Sequence, residues 1–134
     1  MKYKNPRSSK NVVFNDLFTN WNDDLTIVEG VFDAINAGNA VPILGSTLRT
    51  DSDLLRKIVR NDTPCYIALD PDAANKERRI IQTLLRYDVE LYKIDVSGYD
   101  DVGSMPKNVF AERKRVSKYI DRDNYLLLDL LSAV

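Results

Sequence analysis

Histidine is missing from this 134-residue chain, and cysteine occurs once, as Cys65. Without histidine there is no Ser-His-Asp or Cys-His couple, and the usual general base near neutral pH is absent. One cysteine and no histidine exclude a zinc cluster within the chain. Cys65 lies inside an apolar run and reads as a small buried hydrophobe. No stretch approaches the roughly 20 apolar residues of a membrane span. The basic start, Met1-Lys2-Tyr3-Lys4-Asn5-Pro6-Arg7, has no apolar run behind it and does not read as a signal peptide. Neither sign of charge prevails: 19 Lys+Arg against 20 Asp+Glu leave a net charge of -1, unlike a duplex-DNA binder. What remains for chemistry is carboxylates, lysines, hydroxyls and bound metal. With 44% hydrophobic residues and 29% charged ones, the chain has the profile of one globular domain able to bury a core without disulfides.

The chain is organised around Pro64-Cys65-Tyr66-Ile67-Ala68-Leu69-Asp70-Pro71-Asp72-Ala73. A continuous apolar run of this length reads as a strand covered on both faces. It ends in two aspartates, placing carboxylates at a strand's carboxyl end, where open α/β sheets bind ligands. Acids so close repel one another and resist desolvation, so a cation is the expected partner. Oxygen-only ligands favour magnesium or manganese over zinc. The alternative is structural: Asp70 begins a turn and Asp72 caps the next helix.

Charge is uneven along the chain. Lys2, Lys4, Arg7 and Lys10 fall in an acid-free start that reads as an extended arm, either contacting phosphates or simply solvated. Residues 11–21 carry Val12, Val13, Phe14, Leu17, Phe18 and Trp21 at helical spacing, which favours packing over base stacking. Strand-helix alternation begins at Leu25-Thr26-Ile27-Val28, which ends in Glu29-Gly30. A short helix follows, stopping at Gly38-Asn39. Asp33, one turn into that helix, either points toward Glu29 or offsets the helix N-terminus. Pro42 demotes the next run to an edge strand, and Gly45-Ser46-Thr47 forms a small-residue loop able to offer N–H groups to a phosphate. Asp51 or Ser52 caps a helix with Leu54, Leu55, Ile58 and Val59 on one face. Another helix after Asp72 turns Ile80, Ile81, Leu84 and Leu85 inward and Lys76, Arg78, Arg79 and Arg86 outward. Residues 89–96 alternate as a strand, an acidic loop with Asp100 and Asp101 follows, and a basic helix is expected over 108–120 before an apolar tail.

This order predicts an α/β fold with a four-stranded parallel sheet sandwiched by helices. The expected organisation is an arm and helix over 1–24, a core over 25–105 and C-terminal helices packing on it over 106–134. In a parallel sheet, Glu29, the Asp70/Asp72 pair and Asp101 emerge at one edge, although they are far apart in sequence.

Glu29-Gly-x-x-Asp33 followed by Asp70-x-Asp72 resembles the toprim domain shared by primases, type IA and type II topoisomerases, recombination mediators and several nucleases. Lys2-Tyr3-Lys4-Asn5-Pro6, Leu44-Gly45-Ser46-Thr47-Leu48 and Gly98-Tyr99-Asp100-Asp101 are similar to segments of the bacterial-type DNA primase branch. The resemblance covers nearly the whole chain. Pro71 departs from it, since those primases usually carry glycine between the two aspartates. The primase zinc-binding module, the rest of the polymerase core and the helicase-binding region have no counterpart here. The chain therefore resembles a catalytic subdomain, either a fragment or one piece of a split phage-type primase.

The resemblance implies Mg²⁺- or Mn²⁺-dependent nucleotidyl transfer that makes RNA primers. Glu29, Asp70 and Asp72 would be catalytic, and Glu29, Asp70, Asp72 and Asp101 metal-binding. Gly30, Asp33, Gly45, Ser46, Thr47, Lys2, Lys4 and Arg7 would meet nucleotide or DNA. Implied partners are a single-stranded DNA template, ribonucleoside triphosphates, the missing zinc and polymerase modules and a replicative helicase, in the cytoplasm of a bacterial or phage-infected cell and with no membrane. Two alternatives stay open. A toprim nuclease uses the same acids, and a non-catalytic doubly wound module such as a receiver domain shares the alternation but fits the acid pattern poorly.

Overall fold

The computed structural model describes residues 19–43 and 52–132. Expectations for the arm with Lys2, Lys4 and Arg7, for residues 11–18, for the Asp51 cap and for Gly45, Ser46 and Thr47 lie outside the described residues.

The β-favouring runs before Glu29 and Asp70 make the centre of the sheet. Strand β1 (Leu25–Val28) is buried throughout, and β3 (Cys65–Ala68) everywhere but Tyr66, as strands covered on both faces must be. They pair in parallel from Leu25 opposite Cys65 to Val28 opposite Ala68. Strand β2 (Ala40–Pro42) pairs in parallel with β1, at the sheet edge where a residue without N–H is tolerated. Strand β4 (Leu91–Lys93) pairs in parallel with β3.

The sheet has five strands rather than the four expected, in the order β2-β1-β3-β4-β5. Strand β5 (Lys118–Tyr119) runs antiparallel to β4. The helix expected over 108–120 is shorter, α4 (Lys107–Arg115), and the chain turns back at Val116. Val116 and Ile120 are spaced like one helical face, which hid the break. The β-favouring Tyr119 and Ile120 prefer the open edge of β4: the Ile120 N–H donates to the Leu91 carbonyl at 3.0 Å, and the Ile120 side chain is buried.

Helices cover both faces. Helix α2 (Asp53–Asn61) and α3 (Ala74–Arg86) pack Leu55, Ile58, Ile80, Ile81, Leu84 and Leu85 onto Leu25, Ile27, Cys65, Ile67 and Leu91. Helix α1 (Val31–Ala37) and α4 pack Ala34 and Phe110 onto Val28 and Ala68 on the other face. The alternation of strand side chains makes this division: odd positions of β1 and β3 face α2 and α3. Local signals end the helices where expected. Ser52 Oγ accepts the Leu55 N–H at 3.1 Å, and Gly38 stops α1 at φ 92°, a conformation open to glycine. The apolar tail forms α5 (Arg122–Ser132), with Tyr125 against the core. Among the described residues no helix is long and apolar enough to cross a membrane.

One expected core position is not in the core: Val59 is 41% exposed, whereas Leu84 is 0% exposed. Leu84→Ala is expected to cost about 2–5 kcal/mol in urea unfolding, and Val59→Ala less than about 1 kcal/mol. Equal costs would contradict the packing described.

Candidate functional site

The chain leaves β1 to form β2 on one side, then returns to form β3 on the other. The gap between β1 and β3 is therefore the point where strand order reverses, and a crevice opens there beyond the carboxyl ends. Glu29 directly follows β1, and Asp70 and Asp72 follow β3. Together with residues 73–76 they line an open cavity of about 540 Å³. Asp70 begins a turn, with its carbonyl accepting the Ala73 N–H at 3.0 Å. Asp72 is exposed and is not the cap of α3: the N-cap is Ala73, which makes no side-chain cap bond.

Electrostatics tie the acids together. Desolvation first, then the nearby Asp33, Glu29, Asp101 and Asp72, push the Asp70 carboxyl up to about 6. Asp70 Oδ1 and Glu29 Oε1 are both shut off from water, and neither has a hydrogen-bond partner. Buried polar oxygens are normally satisfied, so two such oxygens on residues of one cavity lining mark a place for a cation or donor.

Asp33 and Asp101 are held differently. Asp33 is 7% exposed, and both its oxygens are engaged: Oδ2 accepts the Gly30 N–H at 3.0 Å and Oδ1 the Gly103 N–H at 2.7 Å. It thus fastens the start of α1 to the loop between β4 and α4. Asn36 adds to this clasp, donating from Nδ2 to the Val102 and Met105 carbonyls at 2.8 and 2.6 Å. Asp101 Oδ1 accepts the Ser104 N–H at 2.8 Å, bracing the same loop. The two residues add negative charge near Asp70 while their oxygens organise backbone. Gly103 lies so close that a Cβ there would sit 3.1 Å from Asp33 Oδ1.

Lys76 was expected to point outward from α3. Instead its ammonium pairs with Glu29 Oε2, with the two side chains only 24% and 20% exposed. Helical periodicity could not reveal this, because the partner comes from another strand. A weak signal was present: a cation in the first turn of a helix meets the positive end of the helix dipole and needs a compensating acid.

Set against protein-family models, curated proteins and solved structures, the chain matches none of them.

Among the described residues no three acids stand close enough to form a ready-made metal cluster. The arrangement still fits a magnesium-type ion. Such an ion keeps several waters and takes only one or two carboxylates together with substrate phosphates, and Glu29 and Asp70 present unpartnered oxygens.

Because folding raises the Asp70 pKa above its unfolded value of about 3.9, the folded state holds the proton more tightly. Stability should fall as pH rises from about 4 to about 6, then stay reduced. Asp70→Asn should therefore melt above wild type at neutral pH, with the gap closing toward pH 4 in a thermal melt series. A lower melting point at neutral pH would make Asp70 a structural partner instead. Asp33→Asn should go the other way, costing about 1–3 kcal/mol in chemical denaturation by spoiling a charge-assisted bond to a backbone N–H.

Proposed function

We propose that this chain is the catalytic toprim subdomain of a DNA primase, carrying out Mg²⁺- or Mn²⁺-dependent nucleotidyl transfer on a single-stranded DNA template. The observation behind this reading is the pair of buried, unpartnered oxygens, Glu29 Oε1 and Asp70 Oδ1, on two residues that line one cavity at the strand-order reversal. It is supported by the toprim-like spacing of Glu29, Asp33, Asp70 and Asp72.

A divalent ion bound there supplies neutralisation of phosphate charge and a lowered pKa for the attacking primer hydroxyl. The chain's own residues do the rest. Glu29 and Asp70 hold the ion, and Asp72, exposed at the cavity, adds charge that draws cations in. Gly30 presents backbone without a side chain beside Glu29. The N-terminus of α3, which has no side-chain cap at Ala73, borders the cavity, a place suited to a nucleotide phosphate. Glu29 also serves as the proton-handling group in this reading. The zinc-binding and remaining polymerase modules act in trans.

Two measurements test the proposal. Asp70→Asn and Asp72→Asn should each weaken Mn²⁺ binding in calorimetry. In a primase reconstituted with the missing modules, Glu29→Gln should lower ribonucleotide incorporation by roughly 10²–10⁴-fold. Unchanged incorporation would remove Glu29 from the mechanism, and template cleavage without extension would move the reading to a nuclease.

A further inference from the structure

Lys76 is the single cation among the described residues that line the cavity. It occupies the third position of α3, where the helix dipole disfavours positive charge, and Glu29 offsets that disadvantage. Its contact neutralises one oxygen of Glu29 and leaves Glu29 Oε1 and Asp70 Oδ1 without partners. The site is thus partly neutralised by an internal cation.

We infer that Lys76 is a resident counter-cation that a divalent ion displaces from Glu29, and that the freed ammonium then binds a phosphate of the incoming nucleoside triphosphate. The inference rests on the metal-binding reading proposed above. An ammonium and a divalent ion repel each other across one carboxylate in a partly desolvated cavity, so an ion at Glu29 Oε1 weakens the hold of Oε2 on Lys76. The two cations differ in what they can do once separated. Lysine is a compact charge on a flexible four-carbon stem, free to swing without moving α3. Its place in the first turn puts it beside the uncapped N–H groups of the same helix, so a phosphate arriving there meets both. The exchange also sets an order. Without the ion, Lys76 is held by Glu29, and the acids around Asp70 repel a triphosphate. With the ion in place, its two positive charges offset most of the negative charge of the lining acids, and Lys76 is released. Nucleotide should follow metal.

The exchange makes opposite demands on two ligands, which separates it from a simple structural ion pair. Mn²⁺ alone, titrated by calorimetry at mildly alkaline pH, should bind Lys76→Gln about tenfold more tightly than wild type, because a nearby competing charge is gone. ATP, titrated at saturating Mn²⁺, should bind Lys76→Gln about tenfold more weakly. Lys76→Arg keeps the charge and should follow wild type for Mn²⁺, which controls for damage to the fold. If Mn²⁺ binding is lost in Asp70→Asn but equal in wild type and Lys76→Gln, the exchange is wrong and the metal site stands. Mn²⁺ binding equal in wild type and Asp70→Asn would overturn the metal site and the exchange with it. An arginine variant that binds Mn²⁺ as tightly as the glutamine variant would also overturn the exchange.

Discussion

Repulsion among like charges at one edge of the sheet is the constraint around which this molecule is arranged. Desolvation and the surrounding carboxylates together lift the Asp70 pKa to about 6. The crowding follows from topology. Because the chain crosses from β2 over β1 to β3, Glu29 and Asp70 leave neighbouring strands. One intervening strand would add about 4.8 Å and weaken the coupling. Each other feature of the edge answers that concentration of charge. Lys76 covers one oxygen of Glu29, and backbone N–H groups cover both oxygens of Asp33.

Such a site opposes stability, and the packing behind it keeps it in place. Helix α3 carries Lys76 at its start and anchors itself through Ile80, Ile81, Leu84 and Leu85, all buried against the central strands. On the opposite face, Asp33 and Asn36 hold the loop between β4 and α4 against α1, so Asp101 stays near the crevice without being part of its lining. Polar residues at the edge and apolar ones beneath it therefore divide the work. A site that strains local charge rules while the core stays regular is the pattern expected where function has been placed.

Much of the fold was legible along the chain because it depends on local pattern. The apolar runs before Glu29 and Asp70 became the buried central strands, and Pro42 marked the edge. Gly38 and Ser52 ended and began helices as their chemistry requires. What was not legible depends on partners distant in sequence. Strand β5 was hidden by the helix-like spacing of Val116 and Ile120, since edge pairing is decided by whether β4 has a free side. Val59 has the spacing of a core residue, yet its side chain stays 41% exposed. The Asp33 clasp and the Lys76–Glu29 pair join residues brought together only by the crossover connections, and residue type alone does not reveal them. The acid constellation was readable as a pattern. Its division into open oxygens and backbone-holding oxygens was not.

The crevice between β1 and β3 is proposed above as a divalent-cation site. Titrating substoichiometric Mn²⁺ into the isotope-labelled chain and recording amide spectra tests it most directly, because paramagnetic broadening reports distance from the ion. A cation in the crevice should confine broadening to amides near Glu29 and Gly30, to residues 69–76 and to the loop around Asp101, and Asp70→Asn should abolish it. Broadening centred elsewhere, or the same pattern in Asp70→Asn, would contradict it.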